Sequence, residues 1–239
     1  MTEKEIAGLI DHTLLSAFAK RSDIEALCRE AISFGFACVC VNPIHVAYAA
    51  ELLKGSSVGI CTVIGFPLGA SPSKVKAFEA ENAINKGACE VDMVIDIGAA
   101  KEGRFDDVKK DIRTVVDIAR KRGKALKRKI LVKVIVETCY LTDDEIVFCC
   151  SAAKEAEADF VKTSTGFGTP KDSGGHDLPN GASADHVRLM RKTVGDSMGV
   201  KASGGIRDAE KALEMIRAGA SRIGTSSGVK ILQELKSLN

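Results

Sequence analysis

Short apolar runs rich in Val and Ile recur along the chain, and they alternate with stretches whose apolar residues return every three to four positions. The first pattern is that of buried strands and the second that of amphipathic helices. Eight strands are predicted. A short one lies near Asp11 to Thr13, followed by FACVCV ending near Val41, SVGICTVIG near Gly65, CEVDMVI near Ile95, ILVKVIV near Val136, ADFVKT near Thr163, GVKAS near Ser203 and SRIGT near Thr225. Helices are predicted over 22–34, with Ser22 or Asp23 as N-cap, and over 73–86, 105–122, 143–155, 183–193, 208–217 and 226–238, with a weaker segment at 43–53. Strand and helix alternating eight times, with Gly-containing turns and no Pro- or Ser-rich linker, predict a single (β/α)8 TIM barrel over 1–239, with a short extra N-terminal helix. A doubly wound open sheet is the alternative. Its dinucleotide-binding form would carry G-x-G-x-x-G after the first strand, where this chain reads LLSAFAKRSD.

One connection breaks the rhythm. TGFGTPKDSGGHDLPNGA, between the sixth strand and the next helix, holds five glycines and two prolines and exceeds the roughly 2–6 residues usual there. It reads either as a lid over the reactive face of the barrel or as a surface insertion.

Composition narrows the function classes. With 34 Lys+Arg against 32 Asp+Glu the net charge is +2, and there is no Trp and only two Tyr, so neither a strong field nor stacking platforms favour a nucleic-acid partner. The eight cysteines fall well below the roughly 8–10% of disulfide scaffolds. They form no C-x-x-C pair, which fits reduced thiols in a cytoplasmic protein. The N-terminus does not read as a signal peptide, and no apolar run approaches about 18 residues, so no membrane partner is expected.

Charge inside the predicted strands carries the candidate chemistry. Lys133 in ILVKVIV, Lys162 in ADFVKT and Lys201 in GVKAS interrupt apolar runs, and Asp92 in CEVDMVI does so with the opposite sign. A buried unpaired charge costs several kcal/mol, so such residues are paired, neutralised or aimed into a wet cleft; the plainer reading of any one lysine is an outward, solvated amine. Lys162 and Lys201 come late in successive strands, where a barrel gathers its chemistry. Two ammoniums about 4 Å apart at an effective dielectric near 20 repel by roughly 4 kcal/mol. That is enough to bring a lysine from about 10.4 toward 7, where its free amine can attack a carbonyl and form an imine. A carboxylate such as Asp92 could carry the protons. His12, His45, His176 and His186 show no metal-ligand spacing, and no G-x-S-x-G is present. The last two strand-to-helix turns, SGGIR with Gly204 and Gly205 and IGTSSG with Gly224, Ser226 and Ser227, read as phosphate cradles opening helices.

At these motifs the sequence resembles the deoxyribose-phosphate aldolases, from LIDHTLL near the N-terminus through EVDMVI, DFVKTSTGF and VKASGGIR to RIGTSSG. The resemblance implies reversible joining of acetaldehyde and glyceraldehyde 3-phosphate to 2-deoxyribose 5-phosphate, with no metal or organic cofactor. It further implies that Lys162 forms the imine, that Lys201 lowers the pKa of Lys162 and relays protons, and that Asp92 works with a water as proton donor and acceptor. Thr165, Gly204, Gly205, Ser226 and Ser227 are implied around phosphate and sugar. Asp11 and Lys133 are implied as supporting polar residues, and Cys40 matches a thiol near the pocket in some members, although strand packing also accounts for it. Phe167 stands where some members carry a phosphate-binding lysine, and the loop 168–181 is longer than expected of the family. Apart from the resemblance, the same residues suit a Schiff-base aldolase for another phosphosugar or ketose, or a silent phosphosugar-binding barrel. A homo-oligomer is possible, since exposed helix faces of barrels can pair.

Overall fold

The computed structural model describes residues 1–237. Eight parallel strands close into one barrel in sequence order. They are β1 (Ile10–Leu14), β2 (Cys38–Val41), β3 (Gly59–Ile64), β4 (Glu90–Val94), β5 (Leu131–Ile135), β6 (Phe160–Lys162), β7 (Gly199–Ser203) and β8 (Arg222–Thr225), with β8 pairing back onto β1. The open-sheet alternative is thereby excluded. Strand residues are buried on both faces: Val39, Val91, Val132, Val134, Val161 and Val200 belong to the large core beneath the helices, while Cys38, Cys40, Cys61 and Val63 pack together as a separate cluster. A two-sided environment of this kind explains why these segments read as continuous apolar runs.

The predicted helices form, with ends set by local chemistry. The short α1 (Glu3–Ala7) starts with a Thr2/Glu5 capping box. In α2 (Arg21–Phe34) the N-cap is Lys20, not Ser22 or Asp23; the Asp23 carboxylate instead accepts the Lys20 backbone N–H at 2.8 Å. Gly35, in the left-handed region at φ 68, ends the helix. The weak segment resolves into a 3-10 turn (Pro43–His45) and α3 (Val46–Leu52). Next come α4 (Ser73–Asn85) and α5 (Ile97–Lys101), the latter too short for periodicity to reveal and held by Asp96, whose carboxylate accepts from Ala99 N at 2.9 Å. The long α6 (Phe105–Leu126) runs past its expected end because Gly123 is not a terminator: a Cβ there would sit 2.7 Å from the Arg128 carbonyl, so the glycine lets the returning chain pack closely. Thr142 caps α7 (Asp143–Glu155), Ser183 caps α8 (Ala184–Val194) and Asp208 caps α9 (Ala209–Arg217). The last helix, α10 (Gly228–Ser237), begins after Ser226 and Ser227, since Ser227 N donates to Thr225 Oγ1 at 2.9 Å in a tight turn. Leu238, expected in this helix, lies outside the described residues.

Candidate active site

Register places the charged strand residues side by side. Lys162 of β6 is the direct neighbour of Lys201 of β7, and Asp92 of β4 the neighbour of Lys133 of β5. All four are buried, so the solvated-amine reading is overturned for each lysine. Their heads meet on Asp92. Its Oδ2 accepts Lys162 Nζ and Lys201 Nζ, each at 2.8 Å, and its Oδ1 accepts Lys133 Nζ at 2.9 Å and the Cys61 thiol at 3.1 Å. Lys201 also donates to Asp11, and Lys133 pairs with Glu90. Arg222 donates to Asp11 Oδ1 at 2.6 Å and to Glu90 Oε2 at 3.0 Å. Three carboxylates and four basic groups thus form one network inside the barrel.

The electrostatics differ from two bare amines repelling each other, because the Asp92 carboxylate stands between them. Burial pushes the Asp92 carboxyl up, but the ammoniums of Lys133, Lys162 and Lys201 outweigh it and hold it well below the carboxylate range. Burial likewise opposes charge on Lys201, yet Asp11 and Asp92 raise its pKa above the usual lysine value. Asp11 is lowered, burial being outweighed by Lys201, Lys133 and Arg222. Lys201 therefore remains a fixed cation beside Lys162 at neutral pH.

Above the network opens a cavity of about 260 Å³ lined by Lys162, Thr165, Gly204, Gly205, Gly224 and Ser226, together with Thr13, Phe167, Ser203 and Arg207. Among the strand lysines only Lys162 reaches it. Lys201, Lys133, Asp92 and Asp11 do not line it, nor does Ser227 in the adjoining turn. The β7 turn has left-handed backbone at Gly204 (φ 86) and Gly205 (φ 75), and a Cβ on Gly204 would stand 2.8 Å from the Cα of Gly181. Glycine is required there by conformation and by close approach. The turns after β7 and β8 lead into α9 and α10, whose N-termini favour an anion.

The long loop folds back on itself. Lys171 and Asp177 form an isolated bridge, Asn180 Nδ2 donates to the Gly168 carbonyl at 2.5 Å, and Ala182 N donates to the Gly204 carbonyl at 3.0 Å. Its tip is exposed while its base rests on the Gly204 turn. Phe167 stacks edge-on against Phe66 with centroids 5.2 Å apart, at the cavity wall. Among the described residues, donor atoms of Cys40, Cys61 and Asp92 lie within 4.8 Å of one another, but the Asp92 oxygens are already taken by three ammoniums. Arg222, Glu90, Cys61 and Arg207 were not singled out from sequence; Arg222 and Glu90 each stand at the first position of a strand, where a charge also reads as the end of a loop.

These features coincide with one family over nearly the whole chain: residues 6–234 match the DeoC/LacD family aldolases. The chain belongs to that family. This aldolase is 58% identical over 231 residues to a deoxyribose-phosphate aldolase of Geobacillus sp., covering 97% of this chain and 96% of the relative. It is 54% identical over 237 residues to one from Carboxydothermus hydrogenoformans, covering 99% and 98%. Among solved structures, a putative deoxyribose-phosphate aldolase from Coccidioides immitis superposes with TM-score 0.88 at 44% identity, covering 99% of this aldolase and 87% of that chain. One from Aeropyrum pernix, described as tetrameric, superposes with TM-score 0.87 at 35% identity, covering 100% and 94%. No helix among the described residues of this aldolase is long and apolar enough to cross a membrane.

Proposed function

We propose that this aldolase cleaves 2-deoxy-D-ribose 5-phosphate reversibly to acetaldehyde and D-glyceraldehyde 3-phosphate through an imine on Lys162. The observation that carries the reading is that Lys162 alone of the strand lysines opens to the cavity, while its amine shares the Asp92 carboxylate with Lys201. Lys133, Lys201 and Arg222 pair with the carboxylates Asp11, Glu90 and Asp92 independently of Lys162. The Lys162 amine adds to the C1 aldehyde, and loss of water gives a protonated imine. The C3 hydroxyl then loses its proton, and the C2–C3 bond breaks with its electrons drawn into the imine. Glyceraldehyde 3-phosphate leaves, the enamine is protonated at C2, and hydrolysis frees acetaldehyde. Asp92, which accepts from both Lys162 and Lys201, moves these protons together with Lys201, directly or through a water. The phosphate lies against the Gly204–Gly205 and Gly224–Ser227 turns, with Arg207 adding charge.

Acetaldehyde with borohydride should leave an ethyl adduct on Lys162 by peptide mapping, and Lys162→Ala should abolish cleavage. An unmodified Lys162 in active, treated enzyme would refute the assignment. We also infer that 1–239 acts as one catalytic domain in the cytoplasm, in deoxyribose phosphate catabolism, and that the chain self-associates as its Aeropyrum relative does; sedimentation of the purified protein tests the last point.

A further inference from the structure

At the rim of the barrel β5 loses its regular pairing with β6. Val136 N donates to the Lys162 carbonyl at 3.0 Å and Thr138 N to the Thr163 carbonyl at 2.9 Å, so two residues on one side advance against one on the other. Glu137 is the extra residue, a bulge of the kind that re-aims a side chain beside an active site. Its backbone is left-handed at φ 59, uncommon for a residue with a β-carbon. The bulge turns its buried carboxylate onto Thr165, accepting the backbone N–H at both oxygens, 3.1 and 3.2 Å, and the hydroxyl at Oε2. Thr165 Oγ1 in turn accepts Phe167 N at 2.9 Å. One carboxylate therefore fixes the turn that follows Lys162 and walls the substrate cavity.

The chemistry of the arrangement requires an acceptor-only group. The Thr165 hydroxyl has a single hydrogen, and giving it to Glu137 orients the oxygen so that its lone pairs serve Phe167 N and the cavity. We propose that Glu137 is a positioning residue for the cleavage reaction, holding Thr165 where it meets the phosphorylated sugar; this rests on the aldolase reading above. The groups facing Glu137 are Lys162 on β6, the Cys139 thiol at 3.8 Å on its own turn, and, across a second cavity of about 410 Å³, Lys101 of α5 and Tyr140. Lys101 is itself tied to Glu145 at 2.8 Å. Burial raises the Glu137 carboxyl above its ordinary value, against the Thr165 bonds and Lys162. As pH falls through that raised value the carboxyl gains a proton and loses part of its accepting capacity.

The test uses Glu137→Ala and Glu137→Gln, with kcat and KM for 2-deoxyribose 5-phosphate measured over about pH 5 to 8, alongside borohydride trapping with acetaldehyde, which carries no phosphate. Glu137→Ala should raise KM about tenfold or more, while trapping on Lys162 stays within about twofold. Glu137→Gln, isosteric and unable to titrate, should raise KM less and should lack the acid-side rise in KM expected of the wild type. Wild-type KM and pH profile in both variants, or KM and trapping failing together, would overturn the proposal. Should Glu137→Ala not fold, Glu137→Gln decides by the same criteria. Failure of the aldolase reading would look different: wild-type protein would neither trap acetaldehyde nor cleave the sugar.

Discussion

Replacing Lys133 with Met keeps side-chain volume and removes one buried cation that the cavity never touches. Breaking a buried ion pair costs about 3–5 kcal/mol when a partner is left uncompensated. Here no carboxylate loses every partner: Asp92 keeps Lys162 and Lys201 at 2.8 Å, and Glu90 keeps Arg222 at 3.0 Å. The loss should therefore fall at the low end, about 3 kcal/mol, lowering Tm by about 6–12 °C for a chain of this size. The pH dependence follows from the shifts. Lys133 is raised well above its ordinary value, burial being outweighed chiefly by Asp92, so its contribution is complete below about 10.4 and lost only as pH rises through the higher folded value. Asp92 is depressed, so its contribution is present above about 3.9 and lost as pH falls through the lower folded value. The deficit of Lys133→Met should be constant between about pH 5 and 10 and narrow in acid, where Asp92 in the variant takes up a proton earlier. Thermal unfolding of Lys133→Met, Glu90→Gln and the double variant measures both. The double variant should be less destabilised than the sum of the singles by about 1–3 kcal/mol. A Tm within about 2 °C of wild type, or additivity within about 0.5 kcal/mol, would refute the view of these groups as one network.

Two further outcomes are expected. Lys201→Leu removes the fixed cation beside Lys162 and should cut turnover by about 100-fold or more, while acetaldehyde trapping moves to higher pH; an unchanged trapping profile would show that Lys201 does not act through its charge. Among the half-buried thiols, Cys89 is brought down to about 7, chiefly by its hydrogen bond with Cys38, whereas burial and Glu137 push Cys139 up to about 12. Iodoacetamide near neutral pH should therefore alkylate Cys89 well before Cys139 by mass mapping, and equal rates would contradict those environments.

The barrel was legible because both of its periods are written along the chain. Strands covered on two faces read as unbroken apolar runs, and one-sided helices repeat every three to four residues. What stayed hidden depends on contacts between distant segments. Gly123 looks like a helix stop, yet the carbonyl of Arg128, brought back against it, is what requires a glycine. Lys20 caps α2 although its type favours no cap, because Asp23 reaches back to its N–H. The five residues of α5 contain barely one repeat.

The same division runs through the site. Lys133, Lys162, Lys201 and Asp92 stood out because four charges set within apolar strands together call for an explanation that a solvated amine supplies only singly, and all four converge. Arg222 and Glu90 are charged strand residues too, but each opens its strand, where a charge also reads as the edge of a loop. The pairing of Lys162 with Lys201 was readable from strand order; the carboxylate between them was not, since Asp92 lies 70 and 109 residues away in sequence. Its presence changes the physics. Repulsion between two lysines alone would depress both, whereas a shared carboxylate, with Asp11 added on one side only, gives the two amines different environments: Lys201 has two anionic partners and is locked as a cation, and Lys162 has one and faces the cavity. Asymmetry in counter-ions, more than proximity of like charges, distinguishes the two amines; under the proposed reaction it is the one with a single partner, at the cavity, that carries the imine.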